Sequence, residues 1–226
     1  LLFQAYGFLA GVSHKLQAGE YLLSPSLSLS QIIKKLAKGD VHKEAITFVE
    51  GWSVKDYPNL LEFLNLEGYL FPDTYFVRTD ETPESIAQRM LQNFDKHFTP
   101  QLKKETQMQK KTILQVVTMA SLLEKEVRGL QDRKIVAGIL WKRLGARVAL
   151  QVDATISYIT GEHGLNISKK DTQIDSLYNT YKYPGLPLGP IGNPGITSIL
   201  AALYPTESPY WYYLSTPTGE TIFSKT

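Results

Sequence analysis

The chain has 226 residues, of which 43% are hydrophobic and 20% charged, a balance typical of a folded globular protein and not of a disordered one. Its 24 basic residues nearly match its 22 acidic ones, which argues against nucleic acid as the main partner. The absence of cysteine excludes disulfides and thiolate metal sites. The four histidines lack metal-ligand spacing, so we expect neither a metal nor another cofactor.

The first part of the chain has the pattern of a small α+β unit. We predict, in order, a helix over 1–11, a strand over 17–23, a helix from Ser28 or Ser30 to Gly39, and a strand over 44–49.

The longer remainder has the pattern of a mixed α/β domain. We predict helices over 53–66, 82–97, 112–128, 132–144 and 197–204, a helical turn over 154–160, an aromatic-rich turn and strand over 67–77, strands over 148–151 and 210–215, and an interruption at Pro100. No run reaches the roughly 18 apolar residues that span a bilayer.

Glu124 lies in the middle of the apolar stripe of the helix predicted over 112–128. A carboxylate in apolar surroundings is costly to ionise, so such a side chain tends to keep its proton, as a general acid must. The alternative is a structural ion pair with Arg143 or Arg147.

The segment 181–195, YKYPGLPLGPIGNPG, holds four prolines and four glycines. This composition excludes a helix or a central strand and favours a shaped loop, which would either wall a ligand cleft or cover an open edge of the core.

Aromatic and neutral polar side chains precede this loop at 178–181, YNTY, and Gln151 and Asp153 occur further upstream. Such side chains suit a carbohydrate cleft, because sugars present both C–H faces and hydroxyls. The tyrosines could equally be core residues. No nucleophile elbow, Walker loop or dinucleotide-binding motif is present.

Four motifs, ASLLEKEV at 120–127, EGYLFPDTYFV at 67–77, LQVDATISY at 150–158 and the 178–195 segment, together resemble the YceG-like family of endolytic murein transglycosylases. The opening residues are similar to the small LysM-like domain of that family. The resemblance implies an α+β fold with a LysM-like domain over 1–45 and a YceG-like catalytic domain over 46–226.

The resemblance also implies the activity, cleavage of nascent peptidoglycan strands between N-acetylmuramic acid and N-acetylglucosamine. It makes Glu124, the first glutamate of the ASLLEKE motif, the helix-borne catalytic residue. It places the following residues in the substrate cleft: Glu126, Gln151, Asp153, Tyr178, Asn179, Thr180, Tyr181, Gly185, Pro187 and Asn193. The expected location is the outer side of the bacterial cytoplasmic membrane, with an N-terminal anchor and cell-wall synthases as partners.

A single acid can cleave such a strand by closing a 1,6-anhydro ring on the sugar, whereas an ordinary glycosidase needs a second carboxylate, for which Asp153 is available. Lysozyme-like hydrolysis and a non-catalytic peptidoglycan-binding scaffold therefore stay open. The stretch 54–66 is shorter than expected for the family, and the chain ends where the family continues, so the resemblance predicts less of the cleft there.

Overall fold

The computed structural model describes residues 2–57, 60, 63, 65–161, 167–216 and 219–226. Within these ranges the chain is a mixed α+β protein with eight α-helices and two small antiparallel sheets. It divides into two compact units, one of Leu1–Thr47 with Thr74–Ile86, the other of Phe48–Asp73 with Ala87–Thr226. The LysM-like assignment of residues 1–45 stays a prediction.

The first unit contains helix α1 (Leu2–Leu9), helix α2 (Leu29–Lys38) and the strands β1 (Glu44–Thr47) and β2 (Thr74–Val77). The predicted ends of α2 are confirmed: Ser28 forms a capping box with Gln31, and Gly39 ends the helix in the left-handed conformation. The strands pair antiparallel, Glu44 opposite Val77 and Thr47 opposite Thr74.

The predicted strand over 17–23 is wrong, because these residues form an extended loop without a ladder. The Gln17 N–H donates to the Leu36 carbonyl at the end of α2, and the Glu20 carbonyl accepts from the His42 N–H. Gly19 has a φ of 152° and leaves no room for a Cβ beside Val41.

Helix α3 (Pro83–His97) begins in the first unit and continues in the second, and its predicted bounds are confirmed. The second unit adds the helices α4 (Pro100–Met108), α5 (Ile113–Glu126), α6 (Leu130–Gly145), α7 (Asp153–Thr160) and α8 (Ile196–Leu203), and the strands β3 (Tyr212–Ser215) and β4 (Thr221–Ser224). The interruption was predicted at Pro100, which is the first residue of α4. Thr99 caps this helix.

The core of the second unit is built around α5, which packs against α4, α6, α7 and α8. Every residue from Val116 to Leu123 is buried, so this helix is enclosed on all sides over two turns and becomes amphipathic only at its carboxyl end. There Val127 leaves the helix in an extended conformation. The last turn carries all the charged side chains of α5, which are Glu124, Lys125 and Glu126.

The strand predicted over 148–151 is wrong, and part of the helix predicted over 53–66 lies outside the described residues. The strand over 148–151 is a loop, because Gln151 adopts a left-handed φ of 53° and its N–H donates to the Thr180 carbonyl. Of the helix predicted over 53–66, the structure describes a 3-10 turn at Val54–Asp56, and residues 58, 59, 61, 62 and 64 lie outside the described ranges. Among the residues that are described, no helix is both long and apolar enough to cross a membrane.

Candidate active site

The last turn of α5 places two carboxylates in different surroundings. Glu124 and Glu126 are two residues apart, which separates their directions by roughly 200° around the helix axis. Each lines a different cleft of the second unit, and Lys125 lines both.

Glu124 is held in an ion pair with Arg133 of α6. The Arg133 Nη2 lies 2.7 Å from Glu124 Oε1, and the two side chains are 11% and 4% exposed. Glu124 Oε2 accepts the Gly195 N–H at 2.9 Å, so both carboxylate oxygens have a donor. The sequence left an ion pair open with Arg143 or Arg147 as its partner; the observed partner is Arg133.

Arg133 also hydrogen-bonds to the residue that follows α5 and to a side chain of α8. Its Nε donates to the Val127 carbonyl at 2.8 Å, and its Nη1 donates to Thr197 Oγ1 at 2.8 Å. With the bond from Gly195 to Glu124, the pair joins the end of α5 to the start of α8. Charge-assisted bonds of this kind are among the stronger ones in a protein and fix both side chains.

Glu124 faces a cleft of about 430 Å³, here called the Trp52 cleft, with the lining residues Glu50, Gly51, Trp52, Asp56, Glu124 and Lys125. Burial raises the pKa of Glu50 above its ordinary value, the charge of Glu124 raises it further, and Arg133 opposes both. A Cβ on Gly195 would lie 1.9 Å from Glu50 Oε1, so the close approach of Glu50 requires glycine at that position.

Glu126 lies on another side of the same helical turn, and no salt bridge among the residues that the structure describes involves it. Its Oε2 accepts the Tyr213 hydroxyl at 3.0 Å. Burial raises the pKa of Glu126 to about 7, the Tyr213 hydroxyl and the Ala154 N–H lower it, and the charge of Asp153 raises it. A carboxyl group with this pKa exchanges its proton near neutral pH, as a general acid and base must.

Glu126 opens into the larger cleft, of about 580 Å³, here called the Glu126 cleft. This cleft brings together four residues that the sequence predicted as site residues: Glu126, Gln151, Asp153 and Tyr181. It adds side chains from α6, α7 and β3 that the sequence analysis missed: Arg143, Ser157, Tyr212 and Tyr213.

Asp153 begins α7, and its carboxylate accepts the Tyr181 hydroxyl. That bond and burial together raise the pKa of Tyr181 to well above its ordinary range, burial being the larger cause. Arg143, which is 6% exposed, donates to the carbonyls of Trp211 at 2.9 Å and Leu150 at 2.8 Å. These contacts give the Glu126 cleft rigid walls.

Three predicted substrate-binding side chains, Asn179, Thr180 and Asn193, are buried and bonded to the protein itself. Asn179 holds the Thr172 and Ile174 carbonyls and accepts the Tyr181 N–H. None of these three residues lines the Glu126 cleft or the Trp52 cleft, and each holds loop backbone through hydrogen bonds.

Thr180 links two of these loops, because its Oγ1 accepts the Val152 N–H at 3.0 Å and its carbonyl accepts the Gln151 N–H at 3.1 Å. Asn193 Oδ1 accepts the N–H groups of Gly68 and Leu70, at 2.8 and 3.0 Å. Thr180 thus fixes the backbone that presents Gln151 and Asp153, and Asn193 fixes the backbone near Glu67.

The remaining predicted residues lie beside these loops. The Tyr178 ring packs on Tyr158 with ring centroids 5.0 Å apart, Gly185 has a φ of 119°, and Pro187 is buried. None of the three lines the Glu126 cleft or the Trp52 cleft.

A further carboxyl, Glu67, is buried outside both clefts. It accepts the Val54 N–H at 3.1 Å and the Asn193 amide at 3.0 Å. Burial raises the pKa of Glu67 to about 7, and its hydrogen bonds from Val54 and Tyr158 lower it. In the described ranges, no group of three or more His, Asp or Glu side chains is arranged to hold a metal ion.

The fold and the cleft define a mixed α+β protein with a titratable carboxyl at the end of a buried helix. The sequence profile of the YceG-like family matches residues 1–226. The chain belongs to the YceG-like family.

Named relatives agree with this assignment. The chain is 34% identical to an endolytic murein transglycosylase of Bacillus subtilis, a match that covers 99% of the chain and 73% of that protein. It is 31% identical to one of Streptococcus pneumoniae, over 92% of the chain and 48% of that protein. The chain thus spans about half the length of the pneumococcal relative.

A solved structure has the same fold. A crystal structure of a YceG-like protein from Listeria monocytogenes superposes with a TM-score of 0.73 at 32% identity, over 100% of the chain and 86% of that protein.

Proposed function

We propose that this chain is an endolytic murein transglycosylase, which cleaves glycan strands of peptidoglycan between N-acetylmuramic acid and N-acetylglucosamine. The names of the relatives from Bacillus subtilis and Streptococcus pneumoniae support the reaction class. The observation that carries the assignment to a site is Glu126, a carboxyl with a pKa of about 7 at the wall of a 580 Å³ cleft.

The cleft has the chemistry of a saccharide site. Tyr181 and Tyr212 offer aromatic faces to the C–H faces of sugar rings, and Gln151 and Ser157 offer neutral hydrogen-bonding groups to hydroxyls and acetamides. A volume of several hundred Å³ is the usual range for small-ligand sites and accommodates a disaccharide.

In the proposed reaction, protonated Glu126 gives its proton to the glycosidic oxygen as the bond to the muramyl C1 breaks, and positive charge develops on that sugar. The resulting carboxylate then takes the proton of the same sugar's 6-hydroxyl, whose oxygen bonds to C1 and closes a 1,6-anhydro ring. Glu126 ends in its starting protonation state. The step consumes neither water nor a cofactor.

Neighbouring groups tune both halves of this cycle. The charge of Asp153 favours the protonated form of Glu126, which is needed before bond cleavage. The Tyr213 hydroxyl, 3.0 Å from Oε2, stabilises the carboxylate that remains after the proton has left. A pKa close to neutral lets one residue serve as acid and then as base.

The resemblance to the YceG-like family assigns the acid role to Glu124. The contacts of Glu124 favour a different role, since Arg133 and the Gly195 N–H occupy both of its oxygens. We therefore propose that Glu124 anchors the last turn of α5 and that Glu126 carries the proton. Matched glutamine variants of Glu124 and Glu126 distinguish the two assignments.

Lysozyme-like hydrolysis is the second candidate, because Asp153 provides another carboxylate in the same cleft. In that reaction the oxygen of a water molecule, and not that of the sugar's own 6-hydroxyl, would bond to the muramyl C1.

Product analysis separates these functions. Uncrosslinked glycan strands are incubated with the protein, and the ends of the products are identified by mass spectrometry. Anhydro-muramyl ends, lighter than reducing ends by one water, are expected. Reducing ends would establish a hydrolase, and unchanged strands would indicate a non-catalytic binding or scaffold protein.

We also propose that the native protein acts outside the cytoplasmic membrane, held there by an N-terminal anchor and working beside cell-wall synthases. The glycan strands that it would cleave are on that side. Protease accessibility of the tagged full-length protein in intact protoplasts tests the location, and protection of the tagged catalytic part would contradict it.

A further inference from the structure

Glu67 is a buried carboxyl, 5% exposed, that the proposed reaction does not use. The Val54 N–H donates to both of its oxygens, at 3.2 and 3.1 Å, and the Asn193 side-chain amide donates to Oε1 at 3.0 Å. The Tyr158 hydroxyl lies 3.5 Å from Oε2. One carboxyl thus contacts three parts of the second unit that are far apart in sequence.

The Asn193 side chain has a fixed orientation in this network. Its Oδ1 accepts the N–H groups of Gly68 and Leu70, at 2.8 and 3.0 Å, which determines which end of the amide is the oxygen. Its Nδ2 therefore faces the Trp52 carbonyl at 3.2 Å and Glu67 Oε1 at 3.0 Å. Because an NH₂ group only donates, Glu67 must offer an acceptor at this position.

The protonated form of Glu67 has one direction for its proton. The backbone and amide donors face Oε1, so the proton lies on Oε2 and points to the Tyr158 hydroxyl, which accepts as well as donates. The Tyr158 ring is held by Tyr178, with centroids 5.0 Å apart, and by Lys55, whose Nζ lies 4.2 Å from the ring centroid. The ionised form accepts from all its neighbours, and charge strengthens these hydrogen bonds.

A short series of contacts connects Glu67 to the last turn of α5. Asn193 is separated from Gly195 by one residue, a proline, whose ring fixes its φ angle. The Gly195 N–H donates to Glu124 Oε2 at 2.9 Å. Since Glu124 and Glu126 belong to the same helical turn, the position of this loop affects the position of the proposed acid.

The charges that face Glu67 come from two elements. Burial raises the pKa of Glu67 to about 7, and the hydrogen bonds from Val54 and Tyr158 lower it. The charge of Lys125, on α5, also lowers this pKa, and the charge of Asp56 raises it. Glu67 therefore changes between its protonated and ionised forms near neutral pH.

We propose that Glu67 is a positioning residue: through Asn193 it holds the 181–195 loop, and through that loop it positions the last turn of α5 according to its own charge. The ionised carboxylate holds the loop more tightly than the protonated acid does. This inference rests on the proposed function for its effect on the cleavage rate, and on the contacts alone for its effect on the loop.

The test follows the backbone N–H groups of Val54 and Gly195 by two-dimensional NMR between pH 5 and pH 8. Val54 donates directly to Glu67, and Gly195 donates to Glu124 at the other end of the series. Because Glu126 also changes charge near pH 7, the decisive titration uses Glu126→Gln. Both signals are expected to shift with one common midpoint near pH 7.

A stationary Val54 signal in Glu126→Gln would overturn the inference, and so would a Gly195 signal that stays in place while Val54 shifts. Adding Glu67→Gln is expected to abolish both shifts. The titration of Glu126→Gln is decisive by itself, so the inference can fail even if the Glu67 variant does not fold.

Cleavage kinetics give the second readout. In an otherwise wild-type protein, Glu67→Gln is expected to lower kcat for anhydro-end formation by about 3- to 10-fold and to leave KM nearly unchanged, because the turn that carries the acid is misplaced. Asp95→Asn is the control, since its carboxylate is 67% exposed in a surface pair with Lys103. An unchanged kcat in Glu67→Gln would overturn the positioning role.

The two readouts separate this inference from the proposed function. If the wild-type protein leaves strands uncut but both amide signals shift together, the hold of Glu67 on the loop stands and the transglycosylase activity fails. If strands are cut with anhydro ends but the amide signals do not shift, the activity stands and the inference about Glu67 fails.

Discussion

The two glutamates at the end of α5 have similar sequence surroundings but different chemical environments. Glu124 forms an ion pair with Arg133 and accepts the Gly195 N–H, whereas Glu126 is half-buried, accepts the Tyr213 hydroxyl and meets the charge of Asp153. The first arrangement fixes a charge and joins two helices. The second makes the charge of Glu126 costly, so this side chain keeps its proton up to a near-neutral pH. Proximity in sequence therefore does not imply a shared role.

The largest expected effect is a difference in activity between the glutamine variants of Glu126 and Glu124. Glu126→Gln is expected to lower the rate of anhydro-end formation by about 10²- to 10⁴-fold, because the amide cannot donate and then accept the proton. Glu124→Gln is expected to lower it by about tenfold at most, through altered positioning of the last turn. Rates are measured on purified uncrosslinked strands, with circular dichroism to check the fold.

The reverse order of these two variants would return the acid role to Glu124. Equal and complete loss in both, with an intact fold, would mean that the carboxylates act as a unit and that the division of roles is wrong.

The next effect concerns stability. Arg133→Met leaves Glu124 buried without its cation, which is expected to lower the free energy of unfolding by about 3 to 5 kcal/mol in urea titrations. Combining it with Glu124→Gln is expected to recover part of that loss, because no unpaired charge then remains.

Lys103→Met is the control, since Lys103 pairs with Asp95 at 2.9 Å on the surface, where the side chains are 42% and 67% exposed. Loss of this pair is expected to cost about 1 kcal/mol or less. If Arg133→Met costs no more than Lys103→Met, the ion pair is not the anchor that we propose.

The smallest expected effect is a pH dependence that belongs to Glu126. Its pKa is about 7 in the folded protein and near the ordinary value of 4.5 when unfolded. The stabilisation from its retained proton is therefore fully present below pH 4.5 and is lost as the pH rises through 7. Relative to Glu126→Gln, the wild-type protein is expected to lose about 1 to 3 kcal/mol of unfolding free energy between pH 5 and pH 8.

Burial also raises the pKa of Glu67 to about 7. Glu67→Gln is therefore also expected to reduce the loss of unfolding free energy between pH 5 and pH 8. Parallel curves for the wild type and Glu126→Gln would mean that Glu126 is already ionised in the folded protein at pH 5, which would remove its claim to be the acid.

The local signals in the sequence were strongest where a few neighbouring residues determine the structure. Ser28 and Gly39 define the ends of α2, and Pro83 begins α3, because capping and proline geometry act within one turn. The strand predicted over 17–23 failed because its backbone bonds go to the end of α2, a long-range contact. Helix α4 was missed because Pro100 indicates both a break and a first helical position.

The sequence by itself determined the family, through four ordered motifs, and the existence of a buried helix that ends in two glutamates. It also selected Gln151, Asp153 and Tyr181, which the fold brings to the cleft of Glu126. Only the tertiary structure decided which glutamate faces that cleft. A helical wheel gives the direction of a side chain, but Arg133 of α6 and Tyr213 of β3 arrive from distant parts of the chain, and they set the charge and hydration that each carboxylate meets.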